Sequence, residues 1–347
     1  MKNGVLYERV TAWPNLLLAA QRAARGKRFQ PNVGAFTFHL ETELLRLQRE
    51  LREQTYRPGP YRTFVVQEKK PRLISAAPFR DRVVHHALCN IIEPIFDRGF
   101  LFDSYACRKG KGTHAAVERA SAYARRYRCV LKCDIEKYFP SIDHGVLFGL
   151  IAKRIKDEGV LWLVRTIIDG SNQQQEVLHH FPGDNLFSPL ERRRGIPIGN
   201  QTSQFFAHVY LDGLDHYVKE TLRAPGYLRY VDDVLVFASD KARLHETQAL
   251  MAGYCEGLRL RLHPRKCFIA PVTAGFTFLG YRLFPTYRRL DRDNVQRFKR
   301  RLRRYREAVV RGRMSAADAR RCVESWVAHA AHADTVRLRR RILSGVA

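Results

Sequence analysis

The chain has 347 residues, 45% hydrophobic and 11% aromatic, which is enough to bury a core and too apolar for a disordered basic tail. Lys and Arg outnumber Asp and Glu 61 to 34, a net charge of +27, so a polyanion is the expected partner, nucleic acid before an anionic membrane. No apolar run approaches the ~20 residues that span a bilayer, and the opening MKNGVLYERV has no signal-peptide core; a soluble, cytosolic protein with no membrane partner is expected.

Seven cysteines form no CxxC pair, and thirteen histidines form no HExxH and no Cys/His cluster at zinc spacing. Scattered reduced thiols without structural zinc are the expectation.

In chain order, residues 10–55 read as helical: Trp13, Leu16, Leu17 and Ala20 recur at helix spacing, as do Leu44, Leu45, Leu47 and Leu51. Gly26 interrupts the first helix. TYRPGPYRTFVV turns on Pro58, Gly59 and Pro60 and enters a strand from Tyr61 to Gln67. A charged turn at Lys69, Lys70 and Arg72 follows, then the short strand LISA. VVHHALCNIIEPIF (83–96) reads as a mostly buried helix. RCVLKCDIEKYF (128–139) is a strand that ends in polar residues. The polar, Gly- and Pro-containing stretch 169–195 reads as a surface loop or small hairpin. FFAHVYLDGLDHYVKETL (205–222) reads as an amphipathic helix with Phe205, Val209, Leu211, Leu214 and Val218 on its apolar side. LRYVDDVLVFA (228–238) reads as two strands meeting at Asp232 and Asp233 in a hairpin. Residues 288–347 hold 18 Lys and Arg against 6 Asp and Glu, which sets them apart as a basic subdomain. Strands interrupted by helices without a fixed period predict an α+β fold.

The carboxylates carry the chemistry. Nucleotidyl transfer places charge on a phosphoryl group in flight, which two Mg²⁺ ions about 3.5–4 Å apart can stabilise. Mg²⁺ takes a few carboxylates and otherwise water or substrate phosphate. Asp134 at a strand end and the pair Asp232 and Asp233 between apolar strands fit that requirement. Adjacent strand residues face opposite sides, so Asp232 alone is expected to point squarely at the ions. An Asp pair is also what a plain hairpin turn uses.

These residues resemble a known family. Tyr230, Val231, Asp232 and Asp233 resemble the YxDD box of reverse transcriptases, and Asp134 with Phe139 resembles their upstream aspartate and aromatic. IGNQTSQ (198–204) resembles the box between them, FTFLGY (276–281) the primer-grip hairpin, and KKPRLISAAPFRDR (69–82) the segment contacting the incoming nucleotide. Five boxes in the right order are a far more specific signal than YxDD alone.

The resemblance implies a right-hand polymerase with an antiparallel palm sheet and a helical thumb. Residues 1–45 would be an N-terminal helical extension on the fingers side, 46–285 fingers and palm, and 286–347 the basic thumb. Asp134, Asp232 and Asp233 would hold two Mg²⁺ ions (or Mn²⁺ in vitro), with Ile135 beside them. Arg72, Arg80 and Lys69 would meet the triphosphate, although Lys69 and Lys70 equally suit a solvated basic turn. Lys266 would be the acid near the pyrophosphate. Phe139 would exclude a 2′-hydroxyl beneath the sugar; core packing is its bland alternative. Gly199 would let the nascent pair approach, with Ile198 and Gln204 around it.

The commoner pattern of this box is Gln-Gly-x-x-x-Ser-Pro; here Ile198 precedes the glycine and Gln204 follows Ser203. That variant resembles the enzymes of diversity-generating retroelements, which copy a template RNA with frequent errors at adenines. TAWPNLLLAAQRAARGKR (11–28), SYACRKGKGTH (104–114) and SWVAHAAHADT (325–335) point the same way. The resemblance implies a bacterial or phage-encoded enzyme in the cytoplasm, working on template RNA, a DNA or RNA primer and dNTPs with an accessory pentamer of helical bundles. Arg108, Lys109 and Lys111 on a flexible loop, Arg297, Arg300, Arg301 and Arg304 on a basic helix, and Gly280 with Tyr281 are the expected nucleic-acid contacts. Trp326 and His329 are expected to pack and not to stack on bases. No endonuclease, RNase H or zinc segment is visible. The remaining alternatives are a retron, phage-defence or maturase-like reverse transcriptase, or a catalytically silent RNA-binding scaffold.

Overall fold

A computed structural model describes residues 5–67, 71–172 and 177–344. Four helices open it: α1 (Val5–Thr11), α2 (Trp13–Ala24), α3 (Pro31–Phe38) and α4 (Leu40–Arg52). Ala19, Ala20 and Ala23 of α2 are buried, and such small side chains let α2 lie close against the long helix α5 (Phe79–Asp97). On α4 the buried residues Leu44, Leu47 and Leu51 recur three and four positions apart, so one stripe faces the core. The expected boundary at 45 falls inside α4.

Strands β1 (Arg62–Gln67) and β2 (Pro71–Ala76) form an antiparallel hairpin, with Arg62 opposite Ala76 and Gln67 opposite Pro71. Most of it faces solvent, and two strands alone are marginal. Its base is held where the Ser75 amide donates to the Ile198 carbonyl at 3.1 Å.

Helix α6 (Thr113–Arg126) leads into β3 (Cys129–Cys133), followed by the short α7 (Tyr138–Ser141), then α8 (His144–Arg154) and α9 (Glu158–Asp169). The carboxylates of Asp143 and Asp157 cap α8 and α9, accepting from the amides of Val146 (2.9 Å) and Val160 (3.1 Å). Asp157 also accepts from the Leu6 amide at 2.9 Å, which ties α1 to α9. After the short α10 (Ser188–Glu191) comes α11 (Gln201–His216), continued by a π-helical turn, Tyr217–Thr221.

Strands β4 (Gly226–Tyr230) and β5 (Asp233–Ala238), helix α12 (Lys241–Gly257) and strand β6 (Phe268–Pro271) follow. They complete a four-stranded antiparallel sheet in the order β4-β5-β3-β6, with β3 at its centre. Helix α11 was expected to be amphipathic, and this is corrected. His208, Asp212 and Asp215 are as buried as its apolar residues, because α5, α8 and α12 all pack against it, so its polar groups find partners inside.

A second sheet, β7 (Phe276–Phe278), β8 (Tyr281–Leu283) and β9 (Arg288–Leu290), joins the C-terminal helices α13 (Arg292–Val310), α14 (Ala316–Ala331) and α15 (Val336–Leu343). The expected boundary at 286 falls between the paired strands β8 and β9. The main core lies around α11 and one face of the four-stranded sheet; a smaller one lies between the other face, α6 and the second sheet. All seven cysteines are free. Among the described residues no helix is long and apolar enough to cross a membrane. Mixed helices and antiparallel sheets of this kind are compatible with a reverse-transcriptase polymerase fold.

Candidate active site

Strand β3 is buried on both faces, and Cys133 at its end pairs with Val234 of β5. Continued by one residue, that register sets Asp134 opposite Asp233. On the other side Lys132 pairs with Phe268 of β6; before β6 the chain turns at 264–266, and the His263 amide donates to the Asp134 carbonyl at 2.7 Å, which brings Lys266 within reach of Asp134. Strands β4 and β5 meet in a two-residue turn, Val231 and Asp232, closed by the pairing of Tyr230 with Asp233. Val231 has φ +57°, a left-handed conformation that a β-branched residue adopts only where its surroundings enforce it. Asp134 thus shares one sheet end with two carboxylates 98 and 99 residues further along the chain.

Two lysines answer them. The Lys266 ammonium donates to Asp134 Oδ2 at 2.7 Å, and Lys132 lies 3.4 Å from Asp233 Oδ1. Burial first, then the charges of Asp233 and Asp134, pushes the Asp232 carboxyl up to about 6. Burial raises Asp233 too, with Lys132 opposing. Mutually repelling carboxylates are the donor set a hard divalent cation stabilises. Among the described residues no group of three or more His, Cys, Asp or Glu forms a preformed metal cage, and Lys266 already occupies Asp134. The donor chemistry fits a hard divalent cation, which would take over the neutralising role of Lys266. Ile135 is 1% exposed, so only its main chain could face such an ion.

The neighbouring box is stitched to the β1–β2 hairpin. Asn200 donates to the Ser75 carbonyl at 3.0 Å and accepts from the Ala77 amide at 3.2 Å. Gly199 has φ +116°, and a Cβ there would meet Ile74 Cγ2 at 3.0 Å, so both backbone and space call for glycine. Gln204 is exposed and Ile198 half-buried. Phe139, on α7, is partly buried edge-on to Tyr138 at 5.6 Å, and its carbonyl accepts from the Ile196 amide at 3.1 Å. The Asp134 segment is thereby joined to this box. Arg72 stands on β2 opposite Val66 and is exposed; Lys69 lies outside the described residues. Arg80 forms an ion pair with Glu50 of α4 and sits over the Tyr56 ring at 5.2 Å.

Three residues expected to contact nucleic acid have partners within the protein. Arg108 is held by Asp97 at 2.6 Å and by the Leu101 carbonyl at 2.7 Å; its side chain is 11% exposed and serves to lock its own loop. Lys111 donates to the Phe102 carbonyl at 3.0 Å and covers that ring at 3.2 Å. Tyr281 is fully buried, its hydroxyl donating to the His329 carbonyl at 2.8 Å; it docks α14 on the second sheet. Gly280, in the turn before it, has φ +86°. Lys109, Arg300, Arg301 and Arg304 are exposed, and Arg297 half-buried. Trp326 stacks on Phe298 at 3.7 Å, so it and His329 pack as expected.

Sequence reasoning missed Lys132, whose signal was a lone cation inside the apolar run VLKC. It also missed the buried ion pair of Arg229 with Asp215, which carries no periodic signal.

Residues 62–283, more than half of the chain, match the family described as reverse transcriptase (RNA-dependent DNA polymerase). Among curated proteins, the chain is 28% identical over 285 residues to Protein YkfC of Escherichia coli (strain K12), covering 70% of this chain and 72% of that protein. It is 26% identical to the Group II intron-encoded protein LtrA of Lactococcus lactis subsp. cremoris, over 51% of this chain and 28% of that one. It is 28% identical to the mitochondrial Nuclear intron maturase 1 of Arabidopsis thaliana, over 31% of this chain and 15% of that one. The chain therefore spans only a fraction of the length of these intron-related proteins. Its matched segment contains all three clustered carboxylates, both answering lysines and the stitched box, and the chain belongs to the reverse transcriptase family of RNA-directed DNA polymerases.

Proposed function

We propose that this protein copies an RNA template into DNA by two-metal nucleotidyl transfer at Asp134, Asp232 and Asp233. The observation that carries the reading is the register that brings Asp134 beside Asp233 and the Asp232 turn. Two Mg²⁺ ions would supply Lewis acidity at the attacking 3′ oxygen and the leaving pyrophosphate. The three aspartates would hold them; Lys266, released from Asp134, would give a proton to the pyrophosphate. Phe139, on the segment after Asp134, would bar a 2′-hydroxyl, and Gly199 would leave room for the new base pair. Arg72 and Lys69 would contact the triphosphate, with Arg80 contributing only on leaving Glu50. Residues 46–285 would then be fingers and palm, the preceding helices an extension, and the basic helices after 286 the thumb.

The test is primer extension on an RNA template with dNTPs and Mg²⁺. Wild-type protein should extend the primer, and Asp232→Asn should lose on the order of 10²-fold or more in rate. A variant as fast as wild type would remove the aspartate from the mechanism, and a wild type inert on every template would leave only the silent scaffold.

Within that activity we infer the diversity-generating subtype, on the strength of Ile198 and Gln204 flanking the Gly199 box. The half-buried Ile198 on the hairpin-stitched segment is suited to alter checking of the nascent pair. Ile198→Gln should lower misincorporation opposite template adenine; an unchanged error frequency would remove this residue from the explanation. The likeness to intron-encoded proteins favours a maturase-like role as the second reading, for which adenine errors would be no more frequent than others. The surplus of positive charge suits a structured RNA or the accessory pentamer that the subtype implies.

A further inference from the structure

Arg229 has no exposed surface at all, and neither has its partner Asp215 on α11. The guanidinium grips that carboxylate with two arms, Nε to Oδ1 and Nη2 to Oδ2, both at 2.6 Å. Its third nitrogen, Nη1, donates to the Val231 carbonyl at 3.1 Å, and Nη2 also reaches the His208 carbonyl at 3.5 Å. Tyr227 Oη donates to Asp215 Oδ1 at 2.5 Å. The main chain of Arg229 is fixed as well: its amide donates to the Asp103 carbonyl at 2.9 Å, and its carbonyl accepts from the Tyr105 amide at 3.0 Å.

Stability does not account for this arrangement. Desolvating two ions is costly, and well-packed apolar replacements for a buried ion pair are often neutral or stabilising. What an apolar pair cannot do is hold the carbonyl of Val231, the left-handed residue directly before Asp232. A guanidinium with two arms on a fixed carboxylate is a rigid bracket for its third. We propose that Arg229, anchored by Asp215, is a positioning residue that fixes the Val231 turn and so sets where the Asp232 carboxylate meets a divalent cation. This rests on the two-metal reading above and adds a residue three positions upstream of the turn's aspartate.

The experiment compares wild type, the charge-free double variant Arg229→Met with Asp215→Leu, and Arg229→Lys. Free Mn²⁺ is followed by electron paramagnetic resonance during titration, beside thermal midpoint and primer-extension kinetics. The double variant should fold, bind Mn²⁺ about 10- to 100-fold more weakly, and lose kcat with little change in the KM for dNTP. Arg229→Lys keeps a charge on Asp215 but has no third arm, and should show the same weakened Mn²⁺ binding; it decides the matter if the double variant does not fold. Wild-type Mn²⁺ affinity in a folded variant overturns the proposal, as does wild-type protein that takes up no Mn²⁺. Weakened Mn²⁺ binding in the variants of a protein that extends no primer would support the bracket while overturning the polymerase reading.

Discussion

The sheet end with the carboxylates and the basic C-terminal helices handle charge in opposite ways. At the sheet end the charges are paired closely, Lys266 on Asp134, Lys132 near Asp233 and Arg229 on Asp215, around an Asp232 that its acidic neighbours repel. On α13 the arginines 300, 301 and 304 project into solvent from a helix with a single fully buried residue, Phe298. The difference is one of precision. A buried group is placed by register and hydrogen bonds and can direct chemistry, whereas exposed cations supply a long-range field that does not depend on where each one stands.

If this contrast is right, the two regions should respond to different perturbations. Replacing Arg300, Arg301 and Arg304 together by Gln should weaken RNA binding most at low salt. The dependence of log affinity on log salt should become shallower by up to about 2, at roughly 0.7 per lost phosphate contact; an unchanged slope would remove α13 from the binding face.

At the sheet end the expected response is to pH. The Asp232 carboxyl is raised to about 6, against an ordinary value near 4. Between these values the native state keeps a proton that the unfolded chain has released. The stability this group contributes is therefore intact below about pH 4 and is lost as pH rises through 6. In metal-free buffer at pH 7–8, Asp232→Asn should stabilise the protein by on the order of 1–3 kcal/mol, and the gain should vanish near pH 4. Thermal melts across that range check it, and a destabilised variant at pH 8 would contradict the electrostatic account. Uptake of Mn²⁺ should fall as pH drops below 6, since the ion needs the carboxylate ionised.

The smallest effect is expected where the two regions meet. Tyr281→Phe removes a buried hydroxyl bonded to His329 and should cost about 1 kcal/mol of stability without altering the salt dependence of RNA binding. A shallower salt slope in this variant would return Tyr281 to the nucleic-acid surface.

Strands stood out in the sequence because buried β residues form short apolar runs, so 128–139 and 228–238 were legible together with the acids that end them. Lys266 was legible only through the resemblance. What was not legible was the use of each cation. Arg108 and Arg301 look alike in a sequence, yet one is bound to Asp97 and carbonyls and the other faces solvent, and only tertiary contacts separate them. The same holds for α11, whose buried Asp212 and Asp215 read as a polar face until Arg154 and Arg229 are found beside them. Asn200, which stitches its box to Ser75 and Ala77 across more than 120 residues, gave no local sign at all.

Primer-extension rates of Asp134→Asn, Asp233→Asn and the variant carrying both test the shared site most directly. Residues that act as one unit are non-additive, so each single substitution should reduce the rate by on the order of 10²-fold or more, and the pair should be little slower than either. Losses that multiply, or a single variant that keeps the wild-type rate, would contradict a common ion-binding site.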